Sequence, residues 1–329
     1  MRPRARRVLL AVALLAIAAS GFLRAQIPAA TLQQANDALQ AGEADKALAL
    51  LAPLPSQGPG AAEAQNLICR VQFTLQQWDL AVKACELAVR VDGSSSVDHM
   101  WLGRALGEKA DRASFLSAYS LGKRVRSEFE QAVALDPRNA GALSDLGQFY
   151  KDAPGIVGGG LDKAEAIAAQ LDKVNPAKAY ELRGNIAVSR KDYVTAEQDF
   201  KQAIAVSPHP AEQWTILANL YRGRQRWSDL DAAIRGCVAA AARDKHSGVG
   251  LYDGAGILIE TNRDPALAAK MLEDYLAGSS KSEEAPAFIA RVRLGRLKQR
   301  LGDAAGAERE FAAAAAMARE YNPPQDARH

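Results

Sequence analysis

Four segments of this chain can be laid over one another: "QQWDLAVKACELAVRVDG" (76–93), "RSEFEQAVALDPRN" (126–139), "KDYVTAEQDFKQAIAVSPH" (191–209) and "GDAAGAEREFAAAAAMA" (302–318). Each is a helix-forming run in which an aromatic or small residue is followed by alanine, and several close on Asp-Pro or Ser-Pro. They alternate with partner segments, "WLGRALGEK" (101–109), "LSDLGQFYK" (143–151), "YELRGNIAV" (180–188), "WTILANLYR" (214–222) and "VRLGRLKQR" (292–300). A unit of this size cannot bury its own apolar face, so neighbouring units must stack into a continuous core, with a polar cap at the end.

The residue types fit helices throughout. Alanine dominates, aromatics are 6% and β-branched clusters are few, which predicts an all-α chain. With 48% apolar against 24% charged residues, 329 residues can bury a substantial core. Gly103, Gly147, Gly184, Gly295 and Ala218 are expected where helix backbones approach closely, faced by Ala164, Ala196 and Ala307, with Phe129, Phe200 and Phe311 filling the gap to the next unit.

The pattern resembles the tetratricopeptide repeat. The best fit is 211–238, with Trp214, Leu217, Ala218 and Tyr221 in the first helix and Trp227, Leu230 and Ile234 in the second. Residues 140–176 supply Leu146, Gly147, Tyr150 and Pro176, and 177–208 supply Gly184, Tyr193, Ala196, Phe200, Ala203 and Pro208. The resemblance implies a right-handed α-solenoid of about eight antiparallel helix pairs over 26–320, clearest over 62–238 and degenerate at 28–54, 249–275 and 288–320, with a polar tail at 321–329. "WLGRALGEKADRAS" and "APGIVGGGLDKA", within 101–164, are also similar to exported bacterial members of that family.

Two units depart from the template. Between Leu102 and Phe129 lie ten extra residues containing "DRASFLSAYSLGKRVR" (111–126), whose Phe115, Tyr119, Gly122 and Val125 recur at helical spacing. They predict a second helix lengthened by two to three turns, running over 114–135. The other departure is the glycine run "KDAPGIVGGGLDKA" (151–164), which joins a helix ending near Asp152 to one starting around Asp162. Helix N-terminal amides there could hold an anion. The run lacks the Lys-Ser/Thr of a phosphate loop, however, and Asp162 already places a carboxylate there, so it is read as a turn with Ile156 and Val157 tucked into the core.

At the N-terminus, Arg2, Arg4, Arg6 and Arg7 precede an apolar stretch from Val8 to Ala19. That is the layout of a signal peptide, here 1–25 with cleavage after Ala25, and it predicts a periplasmic or secreted protein with no stable membrane span in the mature chain. Removing 1–25 deletes five arginines and turns the formal charge from +3 to −2, so nothing points to nucleic acid. Cys69, Cys85 and Cys237 are read as buried thiols, because a helix separation of about 8–10 Å plus a further turn exceeds the reach of a disulfide.

A search for chemistry finds little. His99, His209, His246 and His329 are scattered, and there is no Gly-x-Ser-x-Gly elbow or Cys-x-x-Cys pair. No catalytic residue, metal site or cofactor is expected. What the resemblance implies is a non-enzymatic scaffold or adaptor, holding a partner polypeptide in a concave groove lined by first helices. The candidate groove residues are Asn66, Arg70 and Phe73, then Met100, Arg104 and Glu108, then Ser144, Gln148 and Lys151, then Glu181, Asn185 and Ser189, then Thr215, Asn219 and Arg222. Arg70, Arg104, Lys151 and Arg222 would form a discontinuous basic line suited to an acidic or C-terminal segment. Two further readings are a structural subunit docking through the long helix at 114–135 and a carbohydrate or cell-wall binding module, which would need exposed aromatics where Trp101, Trp214 and Trp227 fall mostly at core positions.

Overall fold

The computed structural model describes residues 27–322; the leader and most of the tail read from the sequence lie outside them. Sixteen α-helices occur among these residues and pack as consecutive pairs. They are α1 (Ala29–Gln40) with α2 (Ala44–Leu51), α3 (Ala61–Thr74) with α4 (Trp78–Val91), α5 (Ser96–Ala110) with α6 (Phe115–Leu135), and α7 (Ala140–Asp152) with α8 (Leu161–Leu171). Then come α9 (Pro176–Ser189) with α10 (Tyr193–Val206), α11 (Ala211–Gly223) with α12 (Trp227–Ala241), α13 (Gly248–Glu260) with α14 (Pro265–Ala277), and α15 (Ala287–Arg300) with α16 (Ala304–Met317). The chain is an all-α solenoid.

Local chemistry sets the helix ends. Asn139, Asn175, Asp192, Asp264 and Asp303 each accept a backbone N–H of the first turn that follows. Within six of the pairs the turn passes through a left-handed residue, Gly42, Gln76, Lys191, Gln225, Asn262 or Gly302, and in α13/α14 the N-cap Asp264 is left-handed as well. The α5/α6 turn has no left-handed residue and the α7/α8 turn has one, Gly158, only six positions after the helix end; they are the two that carry extra sequence.

Of the four glycines expected where helix backbones approach, three sit under aromatic rings and Gly147 under the Leu182 side chain. A methyl group on Gly103 would stand 2.4 Å from Phe129, on Gly184 2.4 Å from Phe200, and on Gly295 2.6 Å from Phe311. Each phenyl therefore lies on the glycine of its own helix pair, which corrects the expectation that these rings fill the gap to the next unit. In α6, 21 residues long against 14 for α4, the added turns precede Val125, so Phe129 keeps its seat on Gly103. After Pro154 the glycine run forms a short 3-10 turn, Gly155–Val157, and a left-handed Gly158. Val157 is buried there but Ile156 is 68% exposed, against the expectation that both enter the core.

The two ends of the stack meet. Phe288 and Val292 of α15 and Ala314 of α16 belong to the same hydrophobic cluster as Leu32, Leu39, Leu51 and Leu67 of the first helices. Gly42 lies so close to α15 that an added methyl would stand 2.6 Å from the Ala287 nitrogen, and Arg319 Nε donates to Asp45 Oδ2 at 2.8 Å. The stack closes on itself, where a polar end cap was expected.

A second correction concerns the cysteines. Cys69 and Cys85 form a disulfide between α3 and α4, with Cα atoms 5.2 Å apart, while Cys237 is a buried free thiol. The separation of about 8–10 Å is between helix axes, and Cα atoms sit about 2.3 Å off each axis, so facing residues come well within reach of a bridge. Under denaturing, non-reducing conditions a thiol reagent should label Cys237 alone, with two further sites appearing after reduction; three labels without reduction would refute the bridge. Gly184→Ala should lower stability by about 1–3 kcal/mol in urea denaturation, because the Phe200 ring must move. The same exchange at Gly107, where an added methyl meets nothing within 4 Å, should raise it by about 0.5–1 kcal/mol.

Candidate functional site

First helices line the inner face of the closed stack, and its charges are paired from one first helix to another. Arg104 Nε of α5 donates to Asp145 Oδ2 of α7 at 2.6 Å, and Lys178 of α9 lies 3.0 Å from both Glu181 and Glu212 of α11. Arg222 of α11 pairs with Glu260 of α13, and Lys151 pairs with its neighbour Asp152. The remaining member of the expected basic line, Arg70, holds Glu283 through Nε at 2.9 Å and Nη2 at 2.5 Å. All four cations are thus committed to carboxylates, and the line is not a free positive stripe.

Glu283 belongs to the connection 278–286, which crosses to the opposite side of the closure. Its backbone N–H donates to Gln40 Oε1 at 3.2 Å, and Gln40 Nε2 donates back to its carboxylate at 3.1 Å. Beside it, Glu284 shares the interior with Glu212, Arg104 and Lys178; burial, Glu212 and Glu283 raise its pKa against the pull of the two cations. Burial likewise raises Asp145 and Glu181, opposed by Arg104 and Lys178 respectively. Burial alone would lower Lys178, but Glu181 and Glu212 override it and hold the ammonium charged. Asp253 is pushed up to about 7 by burial and by Glu212, with Arg293 opposing.

A different kind of surface lies at the edge of the stack. A cleft of about 590 Å³ opens between α5, α6, α7 and the 3-10 turn. Its floor is Gly103, Gly107 and Ala110 of α5. One wall is the added part of α6, with Phe115, Tyr119 and Gly122, and the other is Phe149, Ile156 and Val157. The two walls touch where Gly122 meets Val157, and Arg126 Nη1 donates to the Val157 carbonyl at 3.4 Å. A volume of this size, largely apolar with a few polar groups at its mouth, is the usual form of a binding pocket. Phe115 and Leu116 are 80% and 79% exposed and extend the apolar surface outside it.

Four of the sequence-derived candidates, Phe73, Arg104, Glu108 and Gln148, line this cleft. Gln148 also borders a second depression of about 530 Å³, which it shares with Asn185 and Asn219. Asn66 is buried, Arg70, Lys151 and Arg222 are held in the ion pairs above, and Ser189 is exposed with its hydroxyl on the Asn185 carbonyl. Both additions are visible in the sequence, but their meeting in one cleft is a feature of the folded chain. The signal was available: both fall between the first and second helices of adjacent pairs, and so on the same edge of the stack. Among the tryptophans, Trp101 is buried as expected, whereas Trp227 is 40% exposed beneath the Arg263 guanidinium.

Among the described residues, no group of three or more His, Cys, Asp or Glu is placed to hold a metal ion, and no helix is long and apolar enough to cross a membrane. No protein-family model matches the chain, and no curated protein matches it. Among solved structures it is similar to a thermophilic tetratricopeptide repeat protein of Thermus thermophilus, at 19% identity and a TM-score of 0.49, over 58% of this chain and 97% of that one. It is also similar to a tetratricopeptide repeat protein of Parabacteroides merdae, at 13% identity and a TM-score of 0.47, over 82% and 98% respectively. The fold stands on the helix pairs themselves.

The inner carboxyls give a pH prediction. Asp253 holds its proton to higher pH in the folded chain than in the unfolded one. Its contribution to stability is therefore full below the ordinary carboxyl range and is lost as pH rises through about 7. Asp253→Asn should be more stable than the parent by roughly 1–4 kcal/mol at about pH 8.5, with the gap shrinking toward about pH 5. Denaturation curves at the two pH values check this, and a gap that widens on acidification would refute it.

Proposed function

We propose that this protein is a non-enzymatic interaction scaffold, an adaptor exported to the cell envelope, which binds a partner polypeptide along the edge of its helical stack. The observation that carries the reading is the cleft built by the two additions to the repeat, lined in part by the exposed Phe115 and Ile156. Contiguous exposed apolar surface on a soluble protein marks a contact site. The track continues past Gln148 to Asn185 and Asn219, so it keeps part of the groove expected from the sequence while moving its centre toward the edge. Export is supported by the arginine-rich leader and by the Cys69–Cys85 bridge, since disulfides persist in oxidising compartments.

A second reading, a subunit of an envelope assembly that docks through α6, is favoured by the exposure of Phe115 and Leu116 on its first turn. The two readings differ in what they require of Gln148, which is exposed and borders both depressions.

In-cell cross-linking of the affinity-tagged full-length chain, followed by mass spectrometry, tests the proposal. The expected result is one reproducible partner whose capture falls about tenfold with Gln148→Trp, and a recovered chain that begins at Gln26. A partner kept by Gln148→Trp but lost with Phe115→Ser and Leu116→Ser would transfer the reading to α6 docking. Capture of nothing above background would overturn both, and a retained Met1 would overturn export with leader removal.

A further inference from the structure

The mouth of the edge cleft carries a charge pattern that its apolar interior does not explain. Among the residues lining it, Glu108, Asp111, Asp145 and Asp152 face a single cation, Arg104. That cation is spent: its Nε and Nη2 both bond Asp145, and its guanidinium stacks on the Trp101 ring at 4.7 Å. Glu108 and Asp152 are ion-paired with Arg112 and Lys151, and Asp152 also accepts from the cleft-lining Gln148 Nε2 at 2.5 Å. Asp111 is exposed and has no ion partner among the described residues. Among the lining residues the one charge left without an ion partner is thus a carboxylate, which favours a cationic over an anionic guest there; the nearby Lys123 is turned onto the Tyr119 ring of the α6 wall at 4.7 Å.

The shape of the apolar surface restricts the guest further. The interior accepts one or two bulky side chains, while Phe115 and Ile156 in its walls remain largely exposed, and Leu116, next to Phe115 in the first turn of α6, adds exposed apolar surface nearby. A small molecule enclosed in the cavity would leave that outer surface uncovered. A polypeptide that inserts apolar side chains and runs on over the mouth would cover it.

We infer that the cleft between α5, α6, α7 and the 3-10 turn receives a basic amphipathic segment of a partner protein, its apolar side chains entering over Gly107 and a lysine or arginine meeting Asp111, the rim carboxylate without an ion partner. This deepens the scaffold reading and rests on it for the existence of a partner. It reverses the polarity of partner expected from the sequence, because the four cations of the inner face are already neutralised.

Gly107 makes the inference testable. It forms part of the floor, and a Cβ added there meets nothing within 4 Å, so a side chain at this position starts into the open cleft. The probes are two fluorescein-labelled amphipathic peptides of about 16 residues, one of leucine and lysine, the other identical with glutamate for lysine. They are titrated by anisotropy against the full disulfide-bonded chain. The lysine peptide should bind at least about tenfold more tightly than the glutamate peptide. Gly107→Phe should weaken it about tenfold or more while leaving the melting temperature unchanged or higher. Asp111→Lys combined with Asp152→Lys should bring the two peptides to within about threefold of each other.

Equal or tighter binding of the glutamate peptide, or undiminished binding of the lysine peptide to Gly107→Phe, overturns the inference. A concentration-dependent dimer of the free protein that Gly107→Phe dissolves also overturns it, because the occupant is then a second copy. Should Gly107→Phe fail to fold, Ala118→Trp fills the cleft from its α6 wall and is read the same way. If the partner found by cross-linking is retained by the Gly107→Phe chain, the scaffold reading survives and this site falls. If no partner is captured but the lysine peptide binds and is lost with Gly107→Phe, the site survives and the scaffold reading falls.

Discussion

A stack of helix pairs has two ends, and each exposes an apolar face unless something covers it. In this chain the ends cover each other, with Phe288 fully buried among the leucines of α1 to α3. Much follows from that contact. The inner face, open to solvent in an unclosed superhelix, becomes an interior in which an unpaired charge is costly. The ion pairs from one first helix to another meet that constraint, as does the strap 278–286, which delivers Glu283 to Arg70. Asp253 has no ion-pair partner within reach among the described residues, and burial pushes its pKa up to about 7, which expresses the same cost; burial raises Glu284 in the same direction.

The ring-on-glycine contact explains how the repeat tolerated its additions. Phe200 follows Gly184, and Phe311 follows Gly295, by 16 positions, whereas Phe129 follows Gly103 by 26, and the contact geometry is nearly the same in all three. The ten added residues therefore all lie on one side of the contact, two at the end of α5, one in the turn and seven at the start of α6, and project past the edge of the stack. In the next pair the addition falls in the corresponding turn, where it forms the Gly155–Val157 segment instead of more helix. Neither addition disturbs the core, and each supplies the other's apolar partner at Gly122 and Val157.

What was legible in the sequence was whatever repeats or is local. The number of helix pairs, the end of α7 at Asp152, the lengthening of α6 and the small residues at Gly103, Gly184 and Gly295 all follow from periodicity and capping chemistry. Closure was not legible, because Gln40 and Glu283 are separated by 243 positions and their contact belongs to no repeat. The disulfide was missed through geometry: axis separation stood in for the distance between facing Cα atoms, which is 5.2 Å. The basic line was visible as residue types, but its neutralisation was not, because the carboxylates that hold Arg70 and Arg104 come from other repeats or from the strap. Ile156 misled because an apolar residue in a tight turn is as consistent with a binding edge as with a core, and only its exposure separates the two.

Closure also bears on how a partner would be held. An open superhelix flexes along its length, and fixing it around a guest costs conformational entropy that is subtracted from affinity. Here the last pair locks the first, the disulfide ties α3 to α4, and the rungs Arg104–Asp145 and Lys178–Glu212 fix the spacing of successive first helices. The cleft walls are set by that frame, α6 through Phe129 on Gly103 and the 3-10 turn through Arg126, so little reorganisation is left for binding. The same closure commits much of the inner face to the chain's own side chains. The surface left for a large partner is the edge, and on that edge the two additions have placed apolar residues that the repeat itself does not require.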